Sequence, residues 1–183
     1  MANQDSPTGL RPIRHRNGAA YNGAANPYYI PASYGTALFI GDAVVKTGTS
    51  NTAEVKVPSS GTFEIGTLPE INKASAGDGN AITGVIVGFA ALPDDLSKQY
   101  NAASTARVAL VADDPDLVFE IQADGAIPAT SIGLNAVLIY THSGSTVTGL
   151  SGVELDTTSD APAADASNQL TIQRAVNRVD NDT

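Results

Sequence analysis

The chain has 183 residues and a mass of 18.7 kDa, with ten Lys and Arg against nineteen Asp and Glu, a net charge of −9 and a pI near 4.4. The absence of cysteine excludes a disulfide framework, a thiolate zinc site, a cysteine nucleophile and ordinary Fe–S ligation. The acidic balance argues against general nucleic-acid binding, no run of about 18 apolar residues offers a membrane-spanning helix, and Met1-Ala2-Asn3-Gln4-Asp5-Ser6-Pro7 lacks the apolar stretch of a secretory signal.

Residues 1–35 show neither helical nor strand periodicity. Pro7, Pro12, Pro27 and Pro31 bias the residues before them toward extended backbone. Asn17-Gly18 and Asn22-Gly23 are turn signals. Four of the six tyrosines lie here: Tyr21, Tyr28, Tyr29 and Tyr34. Disordered tails are poor in aromatics, so this segment reads as an extended arm that lies on something. It is also basic. Residues 1–41 carry Arg11, Arg14 and Arg16 against Asp5, a net of +2, whereas 42–183 carry seven basic and eighteen acidic residues, a net of −11. The expected division is an arm over 1–35 and a β-rich body over 36–183.

The body reads as strands broken by turns. Ala37–Ile40 and Ala43–Lys46 are apolar runs around Gly41-Asp42. Glu54–Val57 and Thr62–Ile65 alternate. Ala81–Leu92 is long and apolar, with Gly84 and Gly88 suggesting a bulge or bend. Arg107–Ala112 and Ala136–Thr141 suit strands covered on both faces. Leu117–Gln122 alternates, as does Leu170–Val179. One helix is expected, a turn or two over Asp94–Tyr100, with Asp94 as its cap. Strand-type spacing with turns every ~8–12 residues predicts an all-β sandwich or barrel. Missing crossover helices exclude a parallel βαβ fold.

Few constellations offer chemistry. Asp113-Asp114-Pro115-Asp116 presents oxygen ligands but lacks the register of a calcium loop, so a charged turn is the better reading. Gly77-Asp78-Gly79 has no downstream Gly-Lys-Ser/Thr and reads as a turn, not a phosphate cradle. His142-Ser143 are strand neighbours that point to opposite faces and make no nucleophile pair. The sequence holds two histidines, His15 and His142, and the former is in the arm, so no metal site is expected. Arg11, Arg14, His15 and Arg16, interleaved with tyrosines, suit docking onto an acidic protein surface. Ordering the arm costs on the order of 35 kcal/mol at ~1 kcal/mol per residue. Offsetting that takes roughly 1,400 Å² of apolar burial at ~25 cal/mol/Å², more than its side chains can find on a small body. A large partner or neighbouring copies would supply the area.

Three stretches resemble a known family. Gly9-Leu10-Arg11-Pro12-Ile13-Arg14-His15, followed by Asn17-Gly18 and Tyr21-Asn22-Gly23, is similar to the start of small structural proteins of tailed-phage heads. Gly41-Asp42-Ala43-Val44-Val45 resembles the strand-opening step of that group, with Ala43 where proline is expected. Leu170-Thr171-Ile172 through Asn177-Arg178-Val179-Asp180-Asn181 resembles its closing strand and end, with Val179 in place of proline. Residues 50–169 carry only generic β character. The resemblance implies a capsid decoration, or cement, protein. Such a protein coats the outer surface of the virion head, is made in the bacterial host cytoplasm, forms an oligomer (commonly a trimer) and reaches across the major capsid protein. The implied capsid or oligomer interface is Leu10, Arg11, Ile13, Arg14, Arg16, Tyr21, Tyr28, Tyr29 and Tyr34. No enzymatic activity, cofactor, membrane contact or direct nucleic-acid role is expected. The alternatives are another virion part, such as a tail tube or head–tail connector, and a β-sandwich carbohydrate- or receptor-binding module. The latter wants an exposed aromatic platform, and the body has no Trp and only Tyr100 and Tyr140.

Overall fold

The computed structural model describes residues 4–58 and 60–178; Val179, Asp180 and Asn181 of the closing motif lie outside them. The strands in chain order are β1 (Arg11–His15), β2 (Asn26–Ile30), β3 (Ala43–Ser50), β4 (Val55–Val57), β5 (Gly61–Phe63), β6 (Pro69–Lys73), β7 (Gly84–Phe89), β8 (Arg107–Ala112), β9 (Leu117–Glu120), β10 (Asn135–Ala136), β11 (Leu138–Ile139), β12 (Glu154–Leu155) and β13 (Leu170–Thr171). The one helical element among the described residues is a 3₁₀ turn at Ala129–Ser131. The chain is all-β, and of the two expected architectures its centre is a barrel.

Five strands close that barrel in the order β2-β6-β3-β7-β8. Strand alternation fills it. Tyr28 and Ile30 of β2, Val44 of β3, Ile71 of β6, Ile86 of β7, and Ala109 and Val111 of β8 all point inward and form one buried cluster with Leu38. Successive side chains of a strand point to opposite faces, so the intervening residues build the outer layers. Ala43 and Val85 pack outward with Leu10, Ala74, Leu138 and Val153. Val108 packs outward with Val57 and Leu68 under the β4–β5 hairpin. A fourth cluster, Ala136, Leu155 and Ile172, sits under the loops of the second half. The β7–β8 register shifts between Ile86 and Gly88, the bulge that glycine within the apolar run foretold.

Residues 1–35 are not set apart from the body in the way the sequence reading expects. β2 is a barrel stave. It runs antiparallel to β8 from Asn26 opposite Val111 to Ile30 opposite Arg107. It also closes the ring by meeting β6 in parallel at Tyr29 and Glu70. β1 lies outside the barrel, paired antiparallel with β9. The segment has no finished body to lie on, because without β2 the barrel is open. The backbone ladder and the inward Tyr28 and Ile30 offset the ordering cost within the same chain.

Two smaller expectations are also corrected. Asp94–Tyr100 forms turns, not a helix. The Asp95 carboxylate accepts from the Ser97 N–H and hydroxyl, a local bond that competes with helix. The Lys98 and Tyr100 carbonyls are taken sideways by the Arg107 guanidinium. Within the alternating run that opens at Leu170, only Leu170–Thr171 is strand, opposite β10; Ile172 is buried and 173–178 are exposed. Asp113–Asp116 is a turn, in which the Asp114 carboxylate accepts from Asp116 N–H at 2.8 Å and the Asp114 carbonyl from Leu117 N–H at 3.1 Å. Asp78-Gly79 is a turn as well.

Candidate assembly interface

The nine residues expected at an interface divide into two sets. Leu10 and Tyr28 are 3% and 4% exposed, inside the fold. Tyr29 is half-buried against Val57, Leu68 and Val108. Tyr34 is half-buried against the barrel core, and its hydroxyl accepts from Lys73 N–H at 3.0 Å. None of these four is free to dock. Arg11, Ile13, Arg14, Arg16 and Tyr21 lie on the β1 ribbon and the turn that follows it, at the surface or half-buried. That turn folds back on β1, with Tyr21 N–H bonded to the Ile13 carbonyl and His15 N–H to that of Ala19. The ribbon is therefore held on both edges, by β9 and by 19–21, and presents a face and not an open edge.

Its charges differ in how they are satisfied. Arg11 donates to Glu120 at 2.8 Å, and Arg178 donates to the other oxygen of the same carboxylate at 2.5 Å. His15 Nδ1 stands 3.2 Å from Asp114. Arg14 and Arg16 have no carboxylate within ion-pair distance among the described residues. The Nε–H of Arg14 is also buried without an acceptor. A buried donor left unpaired costs about 1–3 kcal/mol, a cost internal to the fold. Beside the ribbon an open apolar groove of about 340 Å³ is lined by Leu10, Pro12, Tyr21, Ile40, Ile86 and Leu150, among others.

The groove floor is set by two glycines. The backbones of residues 8–10 and 41 touch, with Leu10 N–H donating to the Gly41 carbonyl at 3.0 Å. Both Gly9 and Gly41 have positive φ, +76° and +94°. A Cβ on Gly9 would stand 2.7 Å from Ser151 Cβ, and one on Gly41 2.8 Å from the Thr8 carbonyl oxygen. Asp42, next in the chain, is fully buried and gathers three elements. One oxygen meets Lys73 Nζ at 3.0 Å and the Ser151 hydroxyl at 2.6 Å, and the other accepts from Phe39 N–H at 2.8 Å. Lys73 Nζ also lies 4.3 Å from the centre of the Tyr140 ring. Burial, then the neighbouring Asp42 charge and Tyr34, push the Tyr140 phenol well above its usual range. This buried charge pair is braced by hydrogen bonds and a ring face, and it fixes the rim on which β1 lies.

The body offers no aromatic platform from its two tyrosines. Tyr100 stacks on Phe39 with centroids 5.3 Å apart, and Tyr140 is under Lys73. The sequence reading missed Pro12, Ile40, Ile86 and Leu150 as groove residues, since their convergence depends on the fold. It also missed that His142 faces Glu154 and Asp5. There the signal was the wrong neighbour: adjacency drew attention to Ser143, while the side chain of Glu154, twelve residues on, reaches His142 at 2.9 Å.

No family model, no curated protein and no solved structure matches this chain.

Proposed function

We propose that this protein is a structural component of a tailed-phage virion that decorates the outside of the icosahedral head. It acts as an oligomer, with a trimer the expected form, and braces contacts between capsomers of the major capsid protein. The observation that carries the reading is spatial. The residues bearing the resemblance are scattered over 9–23, 41–45 and 170–181, yet described members of each stretch meet. Gly9 lies against Gly41, and Arg11 and Arg178 share Glu120.

The docking surface in this reading is the β1 ribbon: Ile13, Arg14 and Arg16, with Tyr21 at the groove mouth. It replaces the free arm as the contact. A cationic, partly apolar face on an acidic body suits a carboxylate-bearing partner surface. Repetition of copies over a shell makes even a modest contact effective through multivalency.

Co-sedimentation with undecorated heads tests this. The full-length chain is expected to pellet saturably, and an Arg14→Ala/Arg16→Ala double variant to lose most of that binding. Absence of pelleting by the full-length chain on heads of its own phage would overturn the decoration reading. Equal pelleting by both proteins would remove the ribbon as the contact.

A further inference from the structure

Residues 4–8 form a strap across the rim. Gln122 fastens it, donating to the Gln4 carbonyl at 3.2 Å and accepting from Ser6 N–H at 3.3 Å. Between those two contacts the Asp5 carboxylate faces His142 Nε2 at 3.5 Å. Behind His142 stands Glu154 of β12, whose side chain is only 2% exposed. One Glu154 oxygen accepts from the Thr141 hydroxyl at 2.7 Å and lies 2.9 Å from His142 Nδ1. A buried carboxylate at that distance holds an imidazole proton on Nδ1, so Nε2 is the nitrogen that faces Asp5. Between two carboxylates that nitrogen carries either a second proton, which both acidic neighbours favour, or a metal ion in its place.

The spacing says which kind of cation fits. A direct charge-assisted N–H···O bond closes to ~2.7–2.9 Å. Two ligands of a tetrahedral zinc ion, each ~2.0–2.1 Å from the metal, stand about 3.4 Å apart. The 3.5 Å gap matches the second. The ligating atoms of Asp5, His142 and Glu154 all lie within 4.8 Å of one another, the one such group among the described residues. With neutral imidazole the group carries two negative charges, which a divalent ion cancels.

We propose that His142 Nε2 and an Asp5 oxygen hold a divalent cation of the zinc class, with Glu154 orienting the imidazole from behind and water on the remaining positions. A buried carboxylate on the far nitrogen is the usual support for a metal-bound histidine. The mixed nitrogen and oxygen set favours zinc over magnesium or calcium. The exposed sides of His142 and Asp5 leave an open path for the ion. Two protein ligands make an exchangeable site, not a folding core. Its effect is to pin the strap, and with it the Gly9–Gly41 contact, to the far wall of the rim. The proposal stands independently of head decoration.

Calorimetric titration of the metal-free full-length chain with zinc chloride, in a non-chelating buffer, tests it. One saturable site per chain is expected, with magnesium chloride giving none. His142→Ala and Asp5→Asn should each weaken zinc at least ~10-fold, the lower end of what losing a supporting residue costs a metal site. Asp5 is exposed and its variant leaves folding alone; His142→Ala removes a partner of the buried Glu154 carboxylate, so its melting curve is read beside its titration and Asp5→Asn carries the test if it unfolds. His15→Ala should leave binding unchanged. Absence of saturable zinc binding would overturn the proposal. So would binding that survives His142→Ala, or magnesium binding as tight as zinc, which would mark general attraction to an acidic surface.

Discussion

β1 and β2 come from the same proline-rich, tyrosine-bearing segment and end in opposite situations. β2 is walled in, with Tyr28 4% and Ile30 0% exposed, and it supplies one of five staves. β1 lies outside the barrel, with Ile13 36% exposed and an arginine, Arg14, whose buried Nε–H has no acceptor. The difference follows from residue order. In β2, Tyr28 and Ile30 fall at alternate positions, so one face can be buried without burying charge. In β1, Arg11, Arg14 and His15, followed at once by Arg16, occupy both faces, so no placement in a barrel wall would leave every charge solvated or paired. One segment thus contains a folding element and a surface element, separated by the turns at Asn17-Gly18 and Asn22-Gly23.

The sharpest way to break this comparison is to remove the segment. Deleting residues 1–35 takes out a stave and exposes the edges of β8 and β6. The cooperative urea transition should be lost, and a cooperative transition of the truncated chain would restore the arm-and-body division. Ile30→Ala is the quieter version. It opens a cavity in the barrel and should lower unfolding free energy by ~2–5 kcal/mol, read from a denaturant midpoint. A loss under 1 kcal/mol would mean that β2 is not in the core. The analogous change on β1, Ile13→Ala, should cost well under 1 kcal/mol, as exposed sites do.

Next in size is the seam between the two regions. Gly41→Ala forces a side chain into left-handed backbone with the Thr8 carbonyl 2.8 Å from its Cβ. A cost of ~1–3 kcal/mol is expected for the backbone strain. If residues 4–10 peel away instead, hydrogen exchange at Leu10 N–H will rise while the barrel amides stay protected. Slow exchange at Leu10 in this variant would show that the close approach is not needed to hold the strap.

Much of the barrel was legible in the sequence, and the failures have physical causes. Arg107–Ala112 reads as a doubly covered strand and is β8 residue for residue. Ala43–Lys46 is the first half of β3, Glu54–Val57 contains β4, and Thr62–Ile65 overlaps β5 at Thr62 and Phe63. β6 went unseen because Pro69-Glu70-Ile71-Asn72-Lys73 offers a single apolar inward residue. Its identity as a strand comes from neighbours on both sides. β2 went unseen because Asn26-Pro27-Tyr28-Tyr29-Ile30 sits among prolines and shows no polar–apolar alternation, although a proline near the start of a strand gives up little of the ladder. Leu170–Val179 has strand-like alternation, but among the described residues only Leu170–Thr171 is strand, opposite Asn135–Ala136, and Ile172 is the last buried side chain of the run. The same limit hid the Asp5–His142–Glu154 group, whose members are distant in sequence. Gly41-Asp42, noticed as a motif, is explained by its surroundings as a structural staple around Lys73 and Ser151.

A smaller effect separates the regions by pH. The Tyr28 hydroxyl donates to Asp113 at 2.7 Å, and burial, that bond and the adjacent negative charge push its pKa up to about 12. A phenol raised in the folded state contributes stability that is complete below its unfolded pKa, about 10, and is lost as pH rises through the folded value. Stability should therefore fall between pH 10 and about 12, and Tyr28→Phe should flatten that fall. Ultraviolet titration of the folded protein should show Tyr28 ionising late; a tyrosinate signal complete by pH 10.5 would place Tyr28 outside the barrel.

The smallest effect on stability carries the most information about function. Arg14→Ala removes a buried donor that has no acceptor in the isolated chain. Relieving it returns part of the ~1–3 kcal/mol that an unpaired buried group costs, against the packing lost with the arginine stem. The two nearly cancel, so the melting temperature should change by no more than a degree or two, in either direction. Binding to heads should respond very differently, because the variant also removes a guanidinium charge from the face offered to an acidic partner. A variant that melts like the parent but no longer pellets separates folding from docking within a single strand. A variant that loses several degrees and still pellets would instead make β1 another structural element, and the comparison with β2 would collapse.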